Sequence, residues 1–149
     1  MQIEEVREEE LDQLSQLYQQ LLPNEVCLEK MREVLVRNRA NPHHLILAAK
    51  LEGRVVGSLL AVCCDMLFGQ CRPFMVIEDV VVDAEHRRRG IGRALMNCAH
   101  NHAQRLDCAY IMLVTDRRSP EPQEFYTALG YNTEGYCAFK LHLAGAATQ

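Results

Sequence analysis

The chain has 149 residues, 48% hydrophobic and 24% charged, with a net charge of −4. That size suits one hydrophobic core, so residues 1–149 are expected to form a single domain, and the composition excludes disordered and fibrous classes. The acidic balance argues against nucleic acid or an anionic membrane as partner, and no apolar run reaches the roughly 20 residues that span a bilayer.

In chain order, Met1 to Val6 reads as a first strand. The acidic residues Glu4, Glu5, Glu8, Glu9 and Glu10 are incompatible with a signal peptide. Leu11, Leu14, Leu17, Leu21 and Leu22 recur at helical spacing over Glu9 to Leu22, and Pro23-Asn24 stops that helix. Leu28 to Arg39 is a second helix, ended by Asn41-Pro42. His44 to Leu51 and Val55 to Cys64 are strands joined by the turn Glu52-Gly53-Arg54. Pro73 to Val82 is a third apolar run, whose β-branched content predicts a strand covered on both faces. From Ile91 the period turns helical, with Ile91, Ala94, Leu95, Cys98, Ala99 and His102 on one face. Tyr110 to Thr115 is a strand, Pro120 to Leu129 a short helix with Gly130 at its end, and Tyr131 to Leu143 one or two final strands. The order β-α-α-β-β-β-α-β-α-β(-β) predicts an α/β fold with a mixed sheet flanked by helices.

The seven cysteines form an odd set with no C-x-x-C pair. They read as reduced thiols of a cytoplasmic protein, not as a disulfide framework or a structural zinc site, and no metal is expected. Cys98 and His102 share a helical face but lack further ligands, and Cys63-Cys64 lacks an identified base.

The informative stretch is Val80-Val81-Val82-Asp83-Ala84-Glu85-His86-Arg87-Arg88-Arg89-Gly90-Ile91-Gly92-Arg93-Ala94-Leu95. A strand feeds a loop with two glycines that opens a helix. A helix start leaves backbone N–H groups without partners, and with the macrodipole these form an anion site. Gly90 and Gly92 let a phosphate approach the main chain. Arg87, Arg88 and Arg89 beside the positive helix end cost a few tenths to about 1 kcal/mol per charge unless compensated. A bound anion would reverse that sign. The alternative is a solvated charge run balanced by Asp83 and Glu85. A P-loop and a dinucleotide fingerprint are excluded by the glycine count and the missing Gly-Lys-Ser/Thr.

Arg87-x-x-Gly90-x-Gly92 after Val80-Val81-Val82 resembles motif A of the GNAT superfamily of acetyl-coenzyme A dependent N-acetyltransferases. Phe125-Tyr126-Thr127-Ala128-Leu129-Gly130-Tyr131 resembles its motif B, in the family's order. The resemblance implies acetyl-CoA as cosubstrate and a bulged strand whose free backbone groups meet the pantetheine arm. It would set Val80, Val81 and Val82 along the cofactor, and the pyrophosphate against the amides of Arg88, Arg89, Gly90, Ile91, Gly92, Arg93 and Ala94, beside Arg87. Where the family often has Asn, this chain has Ser119, and the resemblance implies that the contact comes from Ser119, water or another group.

Attack on the thioester needs a neutral amine, and a primary alkylamine resembles Lys with a pKa of about 10.4. A base or water chain must therefore take a proton. Glu78 and Asp79 interrupt the third apolar run, and strand alternation turns one of them inward. The resemblance favours Glu78 as base and Tyr126 as proton donor to the leaving thiolate. A small-molecule primary amine is the expected acceptor, and Glu25 and Glu29 would suit its cation. Ile77-Glu78-Asp79-Val80-Val81-Val82-Asp83 is also similar to glucosamine-phosphate N-acetyltransferases, a minority reading for the acceptor. The rival readings are protein or peptide N-acetylation and a non-catalytic CoA-binding module. Arg117 and Arg118 are candidates for an acidic substrate group or the cofactor's ribose phosphate, the alternative being solvated side chains. Sheet edges and the C-terminal strand suggest a homodimer.

Overall fold

The computed structural model describes residues 1–23, 26–116, 118–141 and 143. The chain forms two compact units, Met1–Met112 and Leu113–Gln149.

In the first unit, strand β1 (Gln2–Glu5) leads through a 3-10 turn (Glu8–Glu10) into helix α1 (Leu11–Leu21), followed by α2 (Leu28–Asn38). Strands β2 (His44–Leu51), β3 (Arg54–Cys64) and β4 (Phe74–Val82) come next, then α3 (Ile91–Arg105) and β5 (Ile111–Leu113), whose last residue falls past the boundary at Met112. The sheet order is β1-β2-β3-β4-β5. The first three pairings are antiparallel. The approach to β5 follows β4 in the same direction, with Ala109 N–H donating to the Pro73 carbonyl (2.7 Å) and Met75 N–H to that of Tyr110 (3.0 Å). The sheet is therefore mixed. The predicted elements of this unit all form, most with ends within one or two residues of the expected ones.

The β2–β3 connection shows how local chemistry sets register. Glu52 and Gly53 both take positive φ, 49° and 80°, the pattern of a two-residue type I′ hairpin, and Leu51 pairs with Arg54.

Neighbouring residues of β3 point to opposite faces. Gly57 faces α3: a Cβ built there would stand 3.0 Å from Ile91 Cγ2, 3.1 Å from Leu95 Cδ1 and 3.2 Å from the Val81 carbonyl oxygen. Ser58 faces α1, its Oγ 3.4 Å from the Tyr18 hydroxyl. The α3 face holds Leu59, Ala61, Met75 and Ile77 under Ile91, Leu95, Met96 and Ala99, all essentially buried. The other face gathers Leu11, Leu14, Leu17, Ala48, Val55 and Val81, with Met31 and Leu35 of α2 packed against them. β4 is covered less evenly than its composition suggests: Met75, Ile77 and Val81 are buried, while Phe74, Val76, Val80 and Val82 are half-buried. The α1–α2 layer does not reach all of its face, and α2 buries no residue fully.

One ionic group is held in this interior. Lys50, 4% exposed, places its Nζ 2.6 Å from Glu10 Oε1 and 3.1 Å from Glu4 Oε2. The Glu10 carboxylate also accepts from the Arg7 amide (2.9 Å) and guanidinium (3.0 Å). Burial pushes the Glu10 pKa up, but the bonds from Lys50 and Arg7 outweigh it and leave the group below the ordinary carboxylate range. The network ties β1 to β2 through charge, since the β1 side chains are themselves mostly exposed.

The second unit holds α4 (Pro120–Thr127), with Pro at its first position. Gly130 has φ 91°, and the Tyr131 amide reaches back to the Tyr126 carbonyl (3.1 Å), a Schellman-type ending at the glycine that the sequence pointed to. The strands expected over Tyr131 to Leu143 are not present among the described residues. Their apolar positions stay in solvent, with Phe139 95% and Leu141 84% exposed, so no burial of one face drives them into a ladder. Among the described residues no helix is long and apolar enough to cross a membrane.

Two outcomes follow from this packing. Glu10→Gln should destabilise the protein by about 3 kcal/mol at neutral pH in urea unfolding, because Lys50 keeps its buried charge and loses its nearest partner. The Glu10 pKa is depressed in the folded state. Its contribution is therefore present above the unfolded value of about 4.3 and lost as pH falls through the folded one, so the gap between wild type and Glu10→Gln should close on acidification. Gly57→Ala should cost about 1–3 kcal/mol, because one of the three close atoms is backbone and cannot swing aside. An unchanged melting temperature would contradict that contact.

Candidate functional site

The site begins with a break in β4. Ser58 pairs with Val81 and Leu60 with Glu78, so Asp79 and Val80 together oppose the single residue Leu59, a β-bulge. Asp79 takes the left-handed region, with φ 53°. The bulge overturns the expectation that one of Glu78 and Asp79 turns inward: both are exposed, because the extra residue breaks the alternation on which it rested. Surrounding protein still removes water from the Asp79 carboxyl and raises its pKa. Burial likewise raises Tyr18, whose hydroxyl meets Ser58 next to the bulge.

Beyond the bulge, Val80 and Val82 are half-buried, whereas the Val81 side chain is 4% exposed in the α1-facing core. Any role of Val81 toward a cofactor is limited to its main chain. The loop that follows is tightly built. The Asp83 amide donates to the Val56 carbonyl (2.9 Å). The Asp83 carboxylate accepts from His86 Nδ1 (2.7 Å), Gln20 Nε2 (2.9 Å) and the Glu85 amide (3.1 Å). The bonds from His86 and Gln20 hold its pKa below the ordinary range. Gln20 Oε1 also accepts from the Ala84 amide (3.0 Å), so one side chain at the end of α1 grips the loop at two successive residues. Sequence reasoning passed over Gln20, which lies 63 positions from Asp83 on a helix read only for its apolar face.

Arg87, Arg88 and Arg89 are exposed, and Arg87 Nε donates to the Val82 carbonyl (3.2 Å). Arg88 has φ 61°. Gly90 is the N-cap of α3 with φ 79°; it offers no side-chain acceptor, and nothing lies within 4 Å of where its Cβ would be. The first intrahelical bond runs from Ala94 N–H to the Gly90 carbonyl (3.0 Å), which leaves the amides of Ile91, Gly92 and Arg93 without a helical acceptor. Ile91 is 2% exposed and anchors this start against the sheet, while Arg93 is exposed and Ala94 half-buried. An open, uncapped helix start whose N-cap is a left-handed glycine, with arginines just before it, fits a diphosphate.

In the second unit, Ser119 is the N-cap of α4 without a side-chain capping bond, and its carbonyl accepts from Gln123 Nε2 (3.2 Å). Tyr126 is half-buried, edge-on to Phe125 (5.1 Å) and Tyr131 (5.9 Å). Burial, with the neighbouring Tyr126, pushes Tyr131 up to about 12. Arg118 is paired with Asp116 (2.9 Å). Glu29 is exposed in the first turn of α2, and Glu25 and Arg117 lie outside the described residues. His102 meets the Pro42 carbonyl (3.0 Å) and Arg105 (3.2 Å). A hollow of about 150 Å³ lined by residues including Arg7, Arg39, His44 and Ile46 contains none of the predicted site residues, so its size carries no argument for the site.

Residues 3–131 match the acetyltransferase (GNAT) family. Among solved structures, a protein from Agrobacterium tumefaciens strain C58 assigned as an acetyltransferase is 27% identical, with a TM-score of 0.88 over 96% of this chain and 100% of that one. Glucosamine-6-phosphate N-acetyltransferase from Arabidopsis thaliana is 19% identical, with a TM-score of 0.83 over 97% and 98% of the two chains. AAC(6')-Iy, solved with a CoA-linked bisubstrate analogue of acetylneamine, is 19% identical, with a TM-score of 0.78 over 96% and 98%.

Gly90→Ala should destabilise the protein by about 1–2 kcal/mol in urea unfolding, because a Cβ at this positive φ strains the loop. Since nothing surrounds that Cβ, the protein should remain folded.

Proposed function

We propose direct acetyl transfer from acetyl-CoA to a primary amine of a small molecule, on the premise that the chain belongs to the acetyltransferase (GNAT) family and is an acyltransferase. The observation that carries the reading is the succession of bulge, clasped loop and uncapped helix start along β4 and α3. Acetyl-CoA, when bound, supplies the activated acetyl group. The amides of Ile91, Gly92 and Arg93, with Arg87, Arg88 and Arg89, would hold its diphosphate, and the main chain of Val80, Val81 and Val82 its pantetheine arm. A small-molecule acceptor is favoured by the amino sugar and the aminoglycoside analogue in the names of two structural neighbours. The whole chain would work as one catalytic domain. The seven free thiols suit the cytoplasm.

Glu78 is the proposed base. It is exposed beside the bulge, where it can accept the ammonium proton directly or through water. Tyr126 is the proposed proton donor to the leaving thiolate. One observation favours a second reading of the base. Asp79 sits on the bulge itself in a left-handed conformation, and its raised pKa makes it a better proton acceptor than an ordinary carboxylate.

Glu78→Gln should lower kcat by about 10²-fold with acetyl-CoA affinity unchanged, and Tyr126→Phe should lower kcat by a similar factor. The assay is thiol release from acetyl-CoA against polyamines, amino sugars, amino acids and peptides. A loss confined to Asp79→Asn would move the base to Asp79. Full activity in all three variants would refute this assignment of the chemistry. Turnover only with peptides would refute the small-molecule acceptor.

A further inference from the structure

Cys63 and Cys108 lie 45 positions apart, yet their sulfurs are 3.8 Å from each other. Cys63 is on the α3-facing side of β3, opposite Met75, and is 6% exposed. Cys108 stands in the turn between α3 and β5 and is half-buried. Both main chains are fixed. The Cys63 amide donates to the His43 carbonyl (2.8 Å) and the Cys108 amide to that of Ala103 (2.9 Å). Arg72 donates to the carbonyls of Asp107 (3.1 Å) and Cys108 (3.2 Å) and pairs with the Asp107 carboxylate (2.9 Å). The next residue, Ala109, is bonded to the Pro73 carbonyl. A disulfide needs sulfurs at about 2.05 Å, a further approach of less than 2 Å from the distance seen here.

We propose that Cys63 and Cys108 form a dithiol site that closes to an intramolecular disulfide when a low-molecular-weight disulfide oxidises it. The order of events follows from exposure. The accessible Cys108 thiolate attacks one sulfur of the disulfide RSSR; a protein–SR bond forms, the RS–SR bond breaks, and the departing thiolate takes a proton to become RSH. Cys63 then gives up its proton, its sulfur attacks that of Cys108, and the second RS group leaves and is protonated. Two protein thiols are oxidised by two electrons, and one RSSR is reduced to two RSH. Burial, with the adjacent Cys108, pushes the Cys63 thiol up to about 12. Burial alone disfavours the Cys63 thiolate once Cys108 is capped, so the second step is the slower one and speeds up as pH rises. The bond would join β3 to the α3–β5 turn, and Cys63 faces Met75 near the start of β4, away from the Val82 end that leads to the Gly90 loop.

The test uses the wild-type protein and cystamine as the disulfide. After incubation at pH 7, 8 and 9, free thiols are alkylated and the protein is digested without reduction for mass spectrometry. The expected result is a cross-linked peptide pair containing Cys63 and Cys108, faster formation at higher pH, and a melting temperature several degrees higher that dithiothreitol returns to its starting value. Cys108→Ser should lose the cross-link, and Cys63→Ser should stop at a mixed disulfide on Cys108. A permanent mixed disulfide on wild-type Cys108, a different linked pair, or full alkylation of both thiols would each overturn the proposal.

Discussion

The architecture depends on how closely α3 approaches β3. Gly57 has no side chain, so Ile91 and Leu95 rest almost on the strand, with the Val81 carbonyl completing the contact. Burying Ile91, Leu95, Met96 and Ala99 supplies the apolar energy, on the order of 2 kcal/mol for each large side chain. The missing Cβ decides where the helix sits. Because Ile91 is its first residue, the contact fixes the end that carries the unpaired amides, and it fixes it directly after the β4 strand that the bulge interrupts. A helix held only by its later turns would leave that end free to fray.

Electrostatics then distinguishes this helix start from an ordinary one. The positive end of the dipole is preceded by three arginines and has no acid in its first turn. Of the two acids that could have balanced them, Asp83 accepts from His86, Gln20 and the Glu85 amide, and Glu85 is exposed. Charge between β1 and β2 is arranged differently. Lys50 and Glu10 are buried together and satisfied by Glu4 and Arg7, so their role is to hold β1 in register. One cluster is closed on itself, and the other presents donors outward.

Most of the first unit was legible because period, turn chemistry and caps agree there. Glu52-Gly53 forces a hairpin, and the apolar spacing from Ile91 marks a helix at its first residue. What escaped was long-range or irregular. A bulge inserts one residue against Leu59; the family resemblance implied it, but no strand pattern announces it, so the alternation argument for Glu78 and Asp79 failed there. Gln20 and the Cys63–Cys108 pair are contacts across 45 to 64 positions, invisible to any local window. The segment after Gly130 failed for another reason. Its apolar residues look like a strand, but a strand is stabilised by its neighbours, and Phe139 and Leu141 remain in solvent.

The Gln20 clasp has a mechanical meaning. A single amide holds the Asp83 carboxylate with its nitrogen and the Ala84 amide with its oxygen, so the last turn of α1 and the start of the anion-facing loop share one fastening. Losing that one amide would release both bonds at once, so the end of α1 and the first residues of the loop are set together. The apolar face of α1 holds the helix to the sheet, while this polar clasp at its last turn sets the path of the chain beyond β4.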